Sequence, residues 1–158
     1  MADQHITLTC DDDGIAHLRM EDRDGLNALS LGFVEQLGER LRQLSAHASA
    51  KVCLLTGLED VFCSGGDKDM LLGLARGEIS TTDILLSRAV LEVPIPVIAV
   101  MAGHAVGGGL TLALCCDVLL LARESRYGCS FMNMGFTPGM GTTRLLELAV
   151  GPYLAAEM

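Results

Sequence analysis

The stretch from Val97 to Ala122, VIAVMAGHAVGGGLTLALCCDVLLLA, constrains the fold more than any other part of the chain. An apolar run enters a cluster of glycines, and a segment rich in alanine and leucine leaves it. The pattern predicts a strand over 97–101, a glycine turn, a helix over about 109–116 and a strand over 118–122. The first N–H groups of such a helix have no backbone partner, so we expect a partly negative group to bind at this turn. The glycines of the cluster are Gly103, Gly107, Gly108 and Gly109.

Composition and charge exclude several classes of protein. The 158 residues include 50% hydrophobic residues, which suits a single buried core over residues 1–158. The formal net charge of -9 opposes a nucleic-acid partner. The N-terminus MADQHITLTCDDDG lacks the basic start and apolar stretch of a signal peptide, and no apolar run reaches the roughly 18 to 20 residues of a membrane span. We therefore expect a soluble, cytoplasmic protein.

The six cysteines and the aspartate run give no metal site. The cysteines contain no CxxC pair, and the histidines are not at ligand spacing, so we expect reduced thiols packed in a cytosolic core. Asp11, Asp12 and Asp13 stand together, whereas a calcium loop of the EF-hand type spaces its aspartates two apart. We predict a turn at these aspartates and no metal.

Hydrophobic periodicity elsewhere predicts alternating strands and helices, which is an α/β pattern. The chain stops inside helix-like sequence without a glycine or basic cap, so we expect the front part of a longer domain, with the C-terminal region missing. The predicted elements are a hairpin over 6–20, a helix over 31–45 capped by Ser30, a strand over 51–57, a short helix over 70–74, a helix over 83–92, and a strand, a glycine-proline loop and a helix from about Thr142 after residue 126.

Two glycine turns suggest one chemistry. SGGD at 64–67 and GGGL at 107–110 each precede a predicted helix, and two converging backbone N–H groups form an oxyanion hole that stabilises an enolate or a tetrahedral species. Dinucleotide and P-loop motifs are absent, since GHAVGGGL is not GxGxxG and the chain has no GxxxxGK. Spacing alone leaves open that both segments are only tight turns.

Four ordered motifs resemble the crotonase superfamily, the enoyl-CoA hydratase and isomerase fold. They are DGLNALS, FCSGGD, PVIAVMAGHAVGGGLTLALCCDVLLLA and YGCSFMNMGFTPGMGTTRL, and they extend over nearly the whole chain. The resemblance implies a spiral of ββα units, packed as a homotrimer or a dimer of trimers. It also implies that the backbone N–H groups of Gly66 and Gly108 hold a thioester oxygen. The coenzyme A or phosphopantetheine arm is expected along 23–28, at Arg23, Leu26 and Ala28.

The departures from the family pattern are at two positions. Hydratases of this family carry two catalytic glutamates, and the matching positions here are Thr111 and Phe131. A threonine hydroxyl and a phenylalanine ring cannot serve as a general base. We therefore predict no efficient hydratase activity.

Decarboxylation needs an oxyanion hole but no carboxylate base, because loss of CO2 supplies the electrons of the enolate. The segment SFM followed by GFTPGMG resembles the decarboxylating branch of the superfamily found in polyketide β-branching cassettes. By that resemblance the substrate is a 3-methylglutaconyl thioester on an acyl carrier protein, and no cofactor is required. The expected pocket comprises Met70, Thr111, Phe131, Met132 and Gly139, with Phe131 and Met132 or Met134 as an apolar wall or simply as core packing.

The proton donor and the function class stay open. Lys68 can contact the departing carboxylate or deliver a proton, or it can be a solvated lysine at a helix start. His104 and Tyr127 are weaker candidates, with structural hydrogen bonding as the alternative. Asp67 is expected to cap the next helix, and Asp117 is expected to form structural hydrogen bonds. The alternative functions are an isomerase or hydrolase acting on a coenzyme A thioester, and a non-catalytic scaffold that binds acyl chains or carrier proteins.

Overall fold

The hairpin predicted over 6–20 opens the fold. The computed structural model describes residues 5–80 and 85–158. Strands β1 (Ile6–Cys10) and β2 (Ile15–Met20) pair antiparallel. The Asp11 carboxylate accepts hydrogen bonds from the N–H groups of Asp13 at 3.1 Å and Ile15 at 2.8 Å, so the aspartate run forms the turn, as predicted.

A five-stranded sheet continues from β2. The parallel strands that follow it are β3 (Val52–Thr56), β5 (Val97–Met101) and β7 (Val118–Leu121), in the order β1-β2-β3-β5-β7. These strands confirm the predictions for 51–57, 97–101 and 118–122 to within one residue at each end. Their apolar runs form strands because parallel strands are buried between layers of other elements.

A second sheet of three short parallel strands carries the glycine turns. Its strands are β4 (Val61–Cys63), β6 (His104–Val106) and β8 (Tyr127–Gly128), in the order β4-β6-β8. We predicted a turn directly after residue 101, and that prediction was wrong at β6. Two or three residues are too few to show a period, and only pairing with β4 and β8 makes this segment a strand.

Helices complete a repeating unit. They are α1 (Leu31–Ser45), α2 (Lys68–Ala75), α3 (Leu86–Leu91), α4 (Gly108–Leu114), α5 (Thr142–Val150) and α6 (Pro152–Glu157), with a short 3-10 helix at Met132–Met134. Three units follow the order long-sheet strand, short-sheet strand, helix: β3-β4-α2, β5-β6-α4 and β7-β8-α5. This is the ββα spiral that the family resemblance implied.

Local capping explains the helix boundaries. The Ser30 hydroxyl accepts from the Phe33 N–H at 3.2 Å, which starts α1 where predicted. Helix α2 begins two residues before the predicted 70–74 segment, because the Asp67 carboxylate accepts from the N–H groups of Asp69 and Met70. The predicted helix over 83–92 is confirmed as α3 at 86–91, and residues 83 and 84 lie outside the described residues.

One apolar core connects the layers. Helix α1 buries Phe33, Leu37, Leu41 and Leu44, and the strands bury Leu18, Leu55 and Met101. All six cysteines are free thiols, and three of them, Cys53, Cys63 and Cys115, are buried. In the part of the chain that the structure describes, every helix is too short or too polar to cross a bilayer.

Buried thiols make the free energy of unfolding depend on pH in the alkaline range. Burial raises the pKa of Cys53 and Cys115 to about 11 and that of Cys63 to about 12. An unfolded thiol ionises near pH ~8.5, so above that pH the unfolded state loses protons that the folded state keeps. The stabilisation is complete below about pH 8.5 and is lost as pH rises towards 11 or 12, by at most about 1.4 kcal/mol per pH unit for each thiol.

Urea denaturation at several pH values from about 8 to 10 tests this expectation. We expect the free energy of unfolding to fall with pH, and the slope to be shallower in Cys63→Ala than in the wild type. An identical slope in the two proteins would contradict the assignment for Cys63.

Candidate active site

The two glycine turns lie side by side because β4 and β6 are neighbouring parallel strands. Cys63 pairs with Ala105, so both strands end at the same edge of the three-stranded sheet. A Cβ on Gly65 would lie 3.6 Å from the backbone nitrogen of Gly108, and a Cβ on Gly108 would lie 3.9 Å from that of Gly66. The two turns that the sequence separates by about forty residues therefore bring their amide nitrogens together.

The Gly66 N–H points away from Leu29, with which Gly66 forms a parallel bridge. The Leu29 N–H donates to the Gly65 carbonyl at 2.7 Å, and the Leu29 carbonyl accepts from the Asp67 N–H at 3.3 Å. A parallel bridge of this kind uses the residues on either side of Gly66, so the N–H of Gly66 is directed to the opposite side.

The Gly108 N–H is the first of helix α4. Gly107 precedes the helix with a φ of 53°, a left-handed conformation that glycine adopts easily, and its own N–H donates to Gly128 at 2.8 Å. The first intrahelical bond runs from Thr111 to Gly107, which leaves the Gly108 N–H before the ladder begins. Within residues 5–80 and 85–158, neither the Gly66 nor the Gly108 N–H donates a hydrogen bond.

Close backbone packing between the turns requires glycine. A Cβ on Gly109 would lie 2.3 Å from the Cys63 carbonyl oxygen, and a Cβ on Gly65 would lie 2.7 Å from the Val106 carbonyl oxygen. Any larger residue at either position would force the turns apart. The arrangement therefore offers two adjacent, unpaired N–H donors, which is what stabilisation of a thioester oxyanion needs.

Apolar side chains border the donor pair. Leu29 is 1% exposed, and its Cδ1 lies 3.0 Å from the position of a Cβ on Gly108. The Phe131 ring lies 3.9 Å from the position of a Cβ on Gly107, so this residue borders the turn. Met132 is 72% exposed and faces solvent, and Met70 is buried in the core at the start of α2.

Thr111 is fully buried and belongs to a hydroxyl network. Its Oγ1 lies 2.6 Å from Thr142 Oγ1 and 3.1 Å from the Gly107 carbonyl. Thr142, which is 2% exposed, also donates to the Gly139 carbonyl at 2.6 Å. Thr142 was missed by sequence reasoning because nothing in its local pattern shows that it meets Thr111. No ionisable group takes part in this network, so it offers no general base.

The predicted arm loop is tied to the oxyanion turn by Asn27. Its buried amide donates to the carbonyls of Met20 at 3.1 Å and Phe62 at 3.0 Å, and it accepts from the Asp22 N–H at 2.9 Å. The Ser64 N–H donates to the Leu26 carbonyl at 3.2 Å. Around this buried residue, Arg23 and Leu26 are exposed and Ala28 is half-buried.

Of the three candidate proton donors, one is exposed and two form hydrogen bonds with backbone groups. Lys68 is exposed at the first residue of α2, next to Asp67, whose predicted capping role is confirmed. His104 lies on β6, where its Nδ1 accepts from the Arg126 N–H at 3.0 Å, the structural alternative that the sequence left open. The Tyr127 hydroxyl contacts two carbonyl oxygens, those of Met101 and Ala122, at 3.0 and 3.1 Å.

Asp117 has the structural role expected for it. Its carboxylate accepts from the Val97 N–H at 2.8 Å and joins the start of β7 to the start of β5. Among the described residues, no group of three histidine, cysteine or acidic side chains is arranged to hold a metal ion. A groove of about 940 Å³ between α1 and α3 contains none of the predicted site residues.

The repeated ββα units and the two adjacent glycine turns allow the chain to be placed in a protein family. The chain belongs to the enoyl-CoA hydratase/isomerase family, the crotonase family, which it matches over residues 11–158. This membership confirms the fold that the sequence motifs implied.

Three relatives illustrate which members of the family the chain is similar to. The chain is 38% identical over 144 residues to the bacillaene synthase decarboxylase PksI of Bacillus subtilis (strain 168), covering 91% of this chain and 58% of that protein. A solved structure from a dehydratase/decarboxylase enzyme couple involved in polyketide beta-branching has a TM-score of 0.92 and 37% identity, over 97% of this chain and 62% of that chain. The mitochondrial enoyl-CoA hydratase domain-containing protein 2 of Bos taurus is 36% identical, over 92% of this chain and 50% of its own length. The chain thus spans about half to three fifths of these relatives.

Proposed function

We propose that the full-length protein is a lyase that decarboxylates a 3-methylglutaconyl-type thioester carried by an acyl carrier protein, in polyketide β-branch formation. The observation that supports this most is the pair of unpaired N–H groups of Gly66 and Gly108, together with Thr111 and Phe131 where a hydratase has glutamates. The likeness to decarboxylases of polyketide β-branching points in the same direction.

The reaction begins with the thioester oxygen between the two N–H groups. The bond between the departing carboxylate and its carbon breaks, CO2 leaves, and the electron pair enters a conjugated dienolate. The negative charge gathers on the thioester oxygen, where the Gly66 and Gly108 N–H groups donate to it. Because these donors are fixed by the two turns, they need no reorganisation as the charge develops.

The dienolate then takes a proton at the carbon that lost CO2, which gives a 3-methylcrotonyl-type thioester. Lys68 is the proposed donor or carboxylate contact from this part of the chain, because it follows the Gly66 turn by two residues. His104 is a weaker choice, since its Nδ1 already accepts from Arg126. The Phe131 ring replaces water beside the departing carboxylate.

The remaining parts of the proposal follow from the family. The phosphopantetheine arm of the carrier protein lies along the loop of Arg23, Leu26 and Ala28, and the pocket includes Met70 and Gly139. The protein requires no cofactor and works in the cytoplasm as a homotrimer or a dimer of trimers.

Mass spectrometry of the carrier-bound thioester tests the function. The full-length protein is expected to convert the 3-methylglutaconyl thioester to a species lighter by one CO2. Retained carrier binding without any mass change would instead support the non-catalytic scaffold. A shifted double bond or free acid without CO2 loss would support the isomerase or hydrolase.

A further inference from the structure

Met140 has a backbone conformation that its residue type disfavours. Its φ is 56°, in the left-handed region, and it stands between Gly139 and Gly141. The other described non-glycine residues with positive φ are Leu26 and Asn27, in the proposed arm loop. Such a conformation is unfavourable for a residue with a side chain and persists only where the surroundings hold it.

A hydroxyl pair holds the turn around Met140. The Thr142 N–H and the Thr142 hydroxyl both donate to the Gly139 carbonyl, at 3.0 and 2.6 Å, and so close the turn. The Thr111 hydroxyl, whose single proton can go to the Gly107 carbonyl at 3.1 Å or to Thr142, lies 2.6 Å from the Thr142 hydroxyl. Thr111 lies on α4, the helix whose first N–H belongs to Gly108. The turn is therefore held against helix α4 by the buried contact between the two hydroxyls.

The Met140 side chain lies at the oxyanion donor. Its Sδ lies 3.7 Å from the position that a Cβ on Gly108 would occupy. Leu29 Cδ1 lies 3.0 Å from the same position. Met140 is half-buried, so its thioether lies beside Gly108 and is still partly exposed to solvent. An acyl group whose thioester oxygen accepts from the Gly108 N–H would lie near this sulfur, because the two positions are on the same residue.

From these contacts we propose that Met140 is a specificity-determining residue that limits the bulk of the acyl group, and that Thr111 and Thr142 are positioning residues that hold it there. The proposal rests on the proposed thioester site at Gly66 and Gly108. It gives Thr111, the position of a hydratase glutamate, a role of its own: its hydroxyl fixes one wall of the acyl pocket.

Binding of unreactive thioesters separates this inference from the decarboxylase activity. Calorimetry measures the affinity of the full-length protein for 3-methylbutanoyl-pantetheine and 3-ethylpentanoyl-pantetheine, neither of which can lose CO2. The wild type is expected to prefer the smaller acyl group. Met140→Ala is expected to reduce that preference by about tenfold, since a methylene in an apolar pocket is worth roughly tenfold or more. Leu148→Ala, which shortens a residue that is 65% exposed, serves as the control and should keep the wild-type ratio.

The threonine variants test the positioning role. Thr111→Val keeps the side-chain shape without the hydroxyl and should shift the ratio of the two affinities several-fold in the same direction as Met140→Ala. Thr111→Ser keeps the hydroxyl and should have the wild-type ratio. Thr111→Val added to Met140→Ala should have no further effect on the ratio, because the two residues act on one contact.

Two results would overturn the inference. One is a wild-type ratio in Met140→Ala, and the other is a Thr111→Val protein with a lowered melting temperature but an unchanged ratio. If Met140→Ala or Thr111→Val does not fold, Met140→Gly and Thr142→Val probe the same contacts. A failure of decarboxylation with an intact shift in the binding ratio would refute the proposed reaction and leave the role of Met140 standing.

Discussion

Replacing Gly108 with proline is expected to lower the kcat of decarboxylation by about 10²- to 10³-fold, the usual effect of losing one oxyanion donor. Proline is tolerated at the first position of a helix, so α4 should still form while its first N–H is lost. Because the lost hydrogen bond strengthens only as charge develops on oxygen, KM should change much less than kcat. Steady-state kinetics of CO2 release measure both constants.

Gly108→Ala provides the matched control. Alanine keeps the N–H and adds one methyl group, which would meet Leu29 Cδ1 at 3.0 Å, a contact that a small side-chain movement relieves. We expect this variant to be more active than Gly108→Pro, because it keeps the N–H group. Equal activity in Gly108→Pro and the wild type would contradict the oxyanion assignment, and circular dichroism shows whether each variant is folded.

Asn27→Ala is expected to have the largest effect on stability. The substitution removes three side-chain hydrogen bonds, two of them buried, that join β2, the arm loop and β4. It also places alanine at a φ of 53°, where asparagine is better tolerated. Together these losses reduce the free energy of unfolding by on the order of 3 kcal/mol, which urea denaturation measures.

Asn133→Ala is the corresponding control, because Asn133 is exposed in the short 3-10 helix at Met132–Met134. Its free energy of unfolding should stay within about 0.5 kcal/mol of the wild type. An Asn27→Ala protein as stable as Asn133→Ala would show that the buried amide does not hold the arm loop to β4.

Elements with a local signal were predictable from the sequence. Helix α1 has both an amphipathic period and a serine cap, and its predicted bounds match the structure. The apolar strands β3 and β5 were equally clear. Strand β6 was missed because its three residues carry no period and become a strand only through pairing with β4 and β8.

For the candidate site, the two glycine turns were visible in the sequence, whereas the choice of Gly66 and Gly108 within them came from the family resemblance. The proximity of the two turns follows once β4 and β6 are adjacent. The contact of Thr111 with Thr142 and the position of Met140 beside Gly108 had no such signal. They depend on how the loop before α5 folds back onto α4, which is a matter of tertiary packing.

The proposed site stabilises an enolate, but Thr111 and Phe131 give it no group that activates water. The most direct test gives the full-length protein equal amounts of 3-methylglutaconyl and crotonyl thioesters and follows both by mass spectrometry. We predict loss of CO2 from the first and no addition of water to the second. Hydration of the crotonyl thioester at an enzymatic rate, with the 3-methylglutaconyl thioester unchanged, would contradict the proposed decarboxylase function.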